Sequence, residues 1–306
     1  MKTCILFPGQ GAQAIGMGKD LFDASKKVRD MFEEASEASK IDLAALVFNG
    51  TEEALKQTRN NQVALALVEC AASAIIHERG TVIQGAGGFS LGEWPALVEA
   101  GVLGFGEMIR LVAERGRLMD EAGRRSGGSS MSAVLGMEPA AIEAAIKAAG
   151  VRDVWVANYN SPAQSVVSGT EAGLAVTDVA IKEAGAKRVV RLKVSGAFHS
   201  PIMRYAYDGF KEIIADVAFA DPRMDFFSNV SGGKVSSGAE LKSLAAEQII
   251  SPVRWIDEQK AILAAGYVCC LEAGPGTVLG GLWKSASAEV PCLPAGTMEQ
   301  ILALSL

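Results

Sequence analysis

The sequence predicts an α/β fold in which a large domain built on a parallel sheet is interrupted by a small domain of β-α-β-β-α-β order. Three observations lead there. Short apolar or β-branched runs alternate with helical periodicity along most of the chain, the texture of strands joined by crossover helices. The segment Gly123-Arg124-Arg125-Ser126-Gly127-Gly128-Ser129-Ser130 reads as a linker. Beyond it the rhythm changes to strand 131–135, helix 139–149, strand 154–158, strand 165–168, helix 170–184 and strand 188–192, a ferredoxin-like arrangement. The expected division is residues 1–126 and 196–306 for the large domain and 127–195 for the inserted one.

Taken in order, residues 3–7 form a β-rich run stopped by Pro8-Gly9, a first buried strand. Helical texture with interleaved charges covers 17–39, and two more helices are expected at 51–58 and 62–79. A short strand at 81–85 leads to Gly87-Gly88, a close backbone approach, and the chain turns helical again from Leu91. After the insertion, helices at 207–215 and 239–249 precede a strand at 267–271.

Composition bounds the function. With 306 residues and 49% hydrophobic content the chain can bury a large core. A net charge of -6 argues against a nucleic-acid binder, which needs a dense cationic face. Five cysteines, Cys4, Cys70, Cys269, Cys270 and Cys292, include no CxxC pair, and the adjacent two would point to opposite faces of a strand. Neither a metal cage nor a disulfide framework is suggested, and a reduced, cytoplasmic compartment fits. The apolar opening, residues 1–7, is too short for a signal-peptide core. The longest apolar stretch, 63–76, is interrupted by Glu69 and reads as a buried helix, too short for a bilayer.

Gly88-Phe89-Ser90-Leu91-Gly92 is a G-x-S-x-G between an expected strand and an expected helix. A serine on so sharp a turn needs small residues two positions to either side, which Gly88 and Gly92 supply, and the large domain is expected to be α/β-hydrolase-like. The turn would expose the hydroxyl and aim the Leu91 N–H at a developing oxyanion. The alternative is a glycine-rich loop with an incidental serine. Such a serine needs a base, and the chain has two histidines. His77 sits at a charged helix end before Gly80 and reads as a solvated residue on the helix dipole. His199 lies in the small-residue turn Ser195-Gly196-Ala197-Phe198-His199-Ser200-Pro201; a lone histidine there is structural unless Ser90 is its partner. Gly9-Gln10-Gly11-Ala12-Gln13-Ala14 matches a dinucleotide fingerprint, but the required second strand is replaced by the charged helical stretch 26–38. Its geometry suits donors lining a pocket equally well.

Phe7-Pro8-Gly9-Gln10-Gly11-Ala12-Gln13, Gly88 to Glu93, Arg115-Gly116, Asn158 to Gly169, Gly196 to Ser200 and Glu272-Ala273-Gly274-Pro275-Gly276 follow one another as in bacterial malonyl-CoA:acyl carrier protein transacylases. The chain resembles that family over nearly its whole length. The resemblance implies Ser90 as acyl-accepting nucleophile, His199 as general base and acid, and the N–H groups of Gln10 and Leu91 as oxyanion hole. It implies Arg115 as partner of the malonyl carboxylate and the Gln248 main-chain carbonyl as the group orienting His199. Gln62 lines the site in the same way, and Phe198 resembles the malonyl-selective members, its ring crowding an α-methyl. Read without the resemblance, Arg115 fits a surface i,i+4 ion pair as well as a substrate site. Two positions depart from the family: Phe89 stands where a histidine is usual before the nucleophile, and Trp94 replaces a tyrosine.

The implied partners are malonyl-CoA and acyl carrier protein, with no metal and no bound cofactor. The carrier is typically acidic, so Lys187, Arg188, Arg191 and Lys193, with Arg124 and Arg125, are candidates for docking; a charged edge strand that resists aggregation explains them equally well. Fatty-acid and polyketide carriers, including a trans-acting polyketide acyltransferase, both fit. A hydrolase that edits stalled acyl carriers would use the same Ser-His pair, although a carboxylate-binding arginine argues against it. A carrier-binding scaffold without chemistry would not need Ser90 and His199.

Overall fold

The computed structural model describes residues 2–304; Met1, Ser305 and Leu306, at the outer bounds of the expected large domain, lie outside them. Ten strands form two sheets. The larger has the order β10-β9-β1-β2-β7-β8, with β1 Thr3–Phe7, β2 Gly85–Gly88, β7 Asp225–Ser228, β8 Gly233–Val235, β9 Cys269–Glu272 and β10 Cys292–Pro294. Five of these strands run parallel and β8 returns antiparallel on β7. The smaller sheet is antiparallel, ordered β4-β5-β3-β6, with β3 Ser129–Leu135, β4 Val154–Ser161, β5 Gln164–Thr170 and β6 Arg188–Arg191. Helices Pro139–Ala148 and Glu171–Glu183 complete its β-α-β-β-α-β order.

The core follows from this layering. β1 is buried on both faces, as a central parallel strand must be. The buried helix Thr58–Glu78 and the amphipathic helix Phe105–Arg125 pack together on one side of the large sheet. Cys269 and Cys270 do face opposite sides and join separate apolar clusters, and all five thiols are free. The small unit carries its own core around Val134, Ile142, Val167 and Leu174. It is tied to the rest of the chain where Val253, just before helix Trp255–Ala264, exchanges backbone hydrogen bonds of 2.9 Å with Ala157 and Tyr159 on β4.

Several expected boundaries move. The helix expected at 17–39 is two helices, Lys19–Ala24 and Lys26–Ser39, because Ser25 takes an extended conformation and caps the second through Val28 N–H. Helix Phe105–Arg125 runs into the expected linker, leaving only 126–128 between it and β3. The strand expected at 81–85 lies instead at Gly85–Gly88. Glycines there serve close approach: a Cβ on Gly85 would collide with the Tyr267 hydroxyl, one on Gly88 with the Gly92 carbonyl, and one on Gly92 with the Phe7 carbonyl. Strands β7, β8 and β10 and helices Leu43–Asn49, Trp255–Ala264, Val278–Trp283 and Met298–Leu302 were not anticipated by periodicity.

Candidate active site

The carboxyl ends of three adjacent strands, β1, β2 and β7, deliver the loop Pro8–Gly9–Gln10, the Ser90 turn and Asn229, the placement in which open parallel sheets offer their sites. Ser90 opens a short 3-10 turn (Ser90–Gly92) that runs into helix Glu93–Glu99. Its φ is 54°, a left-handed conformation that a non-glycine residue holds only when its surroundings impose it. Asn229 does much of the imposing. Its Oδ1 accepts from Ser90 N–H at 2.6 Å, while its Nδ2 donates to Gly88 O at 2.6 Å and to Glu258 Oε2 at 2.8 Å.

His199 arrives from the segment after β6, also with positive φ (58°). Side-chain hydrogen bonds fix its turn: Ser168 Oγ donates to Phe198 O at 2.6 Å, Ser200 Oγ to Ala197 O at 2.6 Å, and Ala197 N–H to Ser129 Oγ at 3.1 Å. The ring stands between two partners. Nδ1 lies 2.8 Å from Gln248 O, and Nε2 lies 2.8 Å from Ser90 Oγ. A carbonyl only accepts, so Nδ1 carries the proton and Nε2 is free to take one from the serine. Burial, reinforced by the Arg115 charge, pushes the imidazole down to about 4, so the ring is neutral at neutral pH.

Arg115 is fully buried on the inner face of helix Phe105–Arg125 and makes no ion pair among the described residues. Its Nη1 donates to Gln62 Oε1 at 2.8 Å and its Nη2 to Gln248 Oε1 at 2.9 Å, while Nε has no partner. Burial lowers its pKa to about 10, which leaves it charged. The surface reading of this arginine is thereby corrected; Arg117, one half-turn on, is the residue that pairs with Glu114 and Glu121. Gln248 joins everything: its main-chain oxygen meets His199, its Oε1 meets Arg115, and its Nε2 donates to Ser90 O and Glu93 Oε2.

A cavity of about 320 Å³ opens above Ser90 and His199. Gly9, Gln10, Gln62, Phe89 and Phe198 line it from the large sheet and the His199 turn; Met131, Asn158, Asn160, Gln164 and Val166 line it from the small one. Asn160 is buried and its Oδ1 has no partner. Leu91 is buried directly after the serine, and Phe89 packs edge-on against Trp255 with centroids 5.6 Å apart. Trp94 is buried against Phe210.

Ser90, His199, Gln10, Gln62, Phe89 and Phe198 thus line one cavity; Arg115 and Gln248 lie outside its lining, joined to it through Gln62, His199 and Ser90, while Leu91 follows the serine and Trp94 packs on Phe210. His77 lies elsewhere; rather than being merely solvated, its Nε2 is 2.7 Å from Glu99 Oε1. Lys187, Arg188, Arg191 and Lys193 lie on or beside β6, an edge strand, and Arg124 and Arg125 at the end of helix Phe105–Arg125; Arg191 is neutralised by Glu171 and Asp178 and Arg125 by Glu121, leaving Arg124, Lys187, Arg188 and Lys193 exposed. Asn229, Glu93 and Glu258 were missed, since nothing local marks a buried polar residue whose partners are far away in sequence. The pair Asn158 and Asn160, alternating on β4 toward one face, was the one signal available for the amide wall.

The acyl transferase domain family matches residues 4–296. The malonyl CoA-acyl carrier protein transacylase of Bacillus subtilis (strain 168) is 37% identical over 302 residues, 98% of this chain and 95% of that protein. An acyl carrier protein S-malonyltransferase structure from Vibrio cholerae superposes with a TM-score of 0.95 at 36% identity, covering 99% of both chains. A malonyl-transacylase solved in complex with a type II PKS acyl carrier protein gives a TM-score of 0.94 at 34% identity, covering 99% of this chain and 98% of that one.

Proposed function

Since the chain belongs to the family of malonyl CoA-acyl carrier protein transacylases, we propose that it moves malonyl from coenzyme A to a carrier thiol through an ester on Ser90. The observation that carries the reading is the relay Ser90 Oγ–His199 Nε2 and His199 Nδ1–Gln248 O, both at 2.8 Å. In the first half-reaction Ser90 Oγ attacks the thioester carbonyl carbon as His199 Nε2 takes its proton. The tetrahedral oxyanion is assigned to the N–H groups of Gln10 and Leu91. Collapse breaks the carbon–sulfur bond, and the imidazolium returns its proton to the departing coenzyme A sulfur. The second half repeats these steps in reverse, with the carrier's phosphopantetheine thiol as nucleophile. No step calls for a bound cofactor; malonyl-CoA enters as substrate.

Arg115 is assigned to the malonyl carboxylate, which a guanidinium fork recognises bidentately, and Gln62 to holding that fork. Phe198 and Phe89 form an apolar wall that shields the ester from water. Asn158, Asn160 and Gln164 suit the amide-rich arm common to coenzyme A and the carrier. The exposed Lys187, Arg188, Lys193 and Arg124 support docking of an acidic carrier beside the cavity. We read residues 1–126 and 196–306 as the hydrolase-like catalytic domain and 127–195 as a ferredoxin-like insertion; the β4-β5-β3-β6 order and two helices support the latter. A cytoplasmic setting belongs to the same reading; among the described residues no helix is long and apolar enough to cross a membrane.

Intact mass spectrometry after mixing with malonyl-CoA tests the nucleophile. The wild-type chain gains one malonyl group, which leaves on addition of carrier; Ser90→Ala gains none. An adduct persisting in Ser90→Ala overturns the assignment, and malonate released to water in place of carrier loading makes the protein a hydrolase.

A further inference from the structure

We propose that Glu93 is a positioning residue for the carboxylate-bearing donor: it holds the Gln248 amide in one orientation, so that Gln248 Oε1 and not its nitrogen faces Arg115. The inference deepens the proposed function and rests on its reading of Arg115 as the carboxylate clamp.

A glutamine amide has two nearly isosteric orientations, chosen by its neighbours. At Gln248 the neighbours are not equivalent. Nε2 lies 2.6 Å from Glu93 Oε2 and 3.0 Å from Ser90 O, both acceptors, while Oε1 lies 2.9 Å from the Arg115 donor. The reversed amide would set NH2 against guanidinium and oxygen against oxygen, in a place where Glu93, Arg115 and Gln248 are all but sealed from water. Ser90 O satisfies one amide hydrogen, and Glu93 Oε2 at 2.6 Å is the nearer acceptor for the other, Asn229 Oδ1 lying 3.4 Å away.

Glu93 is well built for this. It is the first residue of the helix that begins behind the Ser90 turn, and Asn229 N–H donates to its Oε2 at 3.2 Å, so the oxygen is held by a main-chain donor as well as by Gln248. It is not among the residues lining the cavity, and its Oε2 is engaged by Gln248 and Asn229 behind the serine turn. The charged and titratable groups around it are Arg115 and His199, both reached through Gln248, and Glu258, reached through Asn229. Burial raises the Glu93 carboxyl to about 7, yet the role requires only an acceptor oxygen at the right place, which an amide also supplies.

That distinction gives the test. Glu93→Gln keeps the oxygen and removes the charge; Glu93→Asp keeps the charge and withdraws the oxygen by one carbon–carbon bond, about 1.5 Å. kcat/KM is measured for malonyl-CoA and acetyl-CoA in both variants, in wild type and in Arg115→Met. In Glu93→Asp the malonyl-to-acetyl ratio falls about tenfold, and in Glu93→Gln it stays within about threefold. A purely structural role lowers both donors together and leaves the ratio alone. The inference is overturned if Glu93→Asp keeps the wild-type ratio or if Glu93→Gln loses as much as Glu93→Asp. Arg115→Met separates the two claims: an unchanged ratio there defeats the clamp itself, whereas a lowered ratio with normal Glu93→Asp defeats only the role given to Glu93.

Discussion

Replacing Arg115 by methionine exposes the logic of the site most directly. The guanidinium is fully buried, held by two amide oxygens, with Nε unpartnered and no carboxylate in ion-pair range among the described residues. A malonyl carboxylate gripped there gains two charge-assisted hydrogen bonds of about 1.5–3 kcal/mol each, and their loss lowers kcat/KM for malonyl-CoA about 10²- to 10⁴-fold. Acetyl-CoA has no carboxylate to lose, and its transfer is kept or raised. Methionine fills a similar volume and removes a buried unpaired charge, so the fold loses only the donors to Gln62 and Gln248, about 1–3 kcal/mol. The pH dependence moves as well. His199 is pushed down to about 4 by burial first and by the Arg115 charge second. Removing that charge favours the imidazolium, so its pKa rises, though continuing burial keeps it below the ordinary 6.5. The base acts only when neutral. The acid limb of the acetyl-CoA profile in Arg115→Met therefore lies above its wild-type position near pH 4. Equal losses for both donors, or a limb that stays or moves down, would refute the reasoning.

Two further expectations concern residues outside the reacting pair. Asn229→Ala removes the anchors of Ser90 N–H, Gly88 O and Glu258, with an expected destabilisation of about 2–4 kcal/mol and slower acylation in stopped-flow. Asn229→Asp adds a third acid beside Glu93 and Glu258; it melts below Asn229→Ala in mildly alkaline buffer and recovers in acid, and identical melting at both would contradict this crowding. His77→Gln tests the unused histidine. The Glu99 hydrogen bond raises the His77 pKa, so its contribution is fully present below the unfolded value and disappears as pH rises through the folded one. The ring is half exposed, so the effect is under about 1 kcal/mol. His77→Gln should melt slightly lower than wild type in acid, match it in alkali and transfer malonyl normally; loss of transfer would return His77 to contention as the base.

What could be read in advance followed a physical rule. Gly88, Ser90 and Gly92 carry their meaning in a short motif, because a sharp turn constrains its immediate neighbours, whereas His199 and Gln10 take their roles from the family resemblance. The small unit was legible because alternating strands and capped helices are local patterns; Thr170, for example, both ends β5 and caps helix Glu171–Glu183. β2 was misplaced because its sequence, Gly-Ala-Gly-Gly, has no strand propensity, its glycines being demanded by Tyr267 and the Gly92 carbonyl. Only the resemblance singled out Arg115; read alone it passes for a surface cation, because helix periodicity places a residue on a face without revealing what covers that face. Asn229, Glu93 and Glu258 were invisible for a related reason: each matters through partners reached only when β7 and helix Trp255–Ala264 close beside β2.

The cavity's two walls come from different stretches of chain. Nucleophile, clamp and the Gln248 junction are rooted in the large sheet and its helices, where glycines tolerate no added carbon. The opposite wall hangs from β3, β4 and β5, whose Val134, Val156 and Val167 belong to the small unit's own core while Met131, Ala157 and Val166 pack into the large one. The proposed nucleophile and carboxylate clamp are therefore rooted in one unit, while the wall facing them is shared between two cores. A side chain exchanged at Met131 or Val166 reshapes the mouth of the cavity and the packing of the large core at once, so a new cargo cannot be admitted without disturbing the scaffold beneath it.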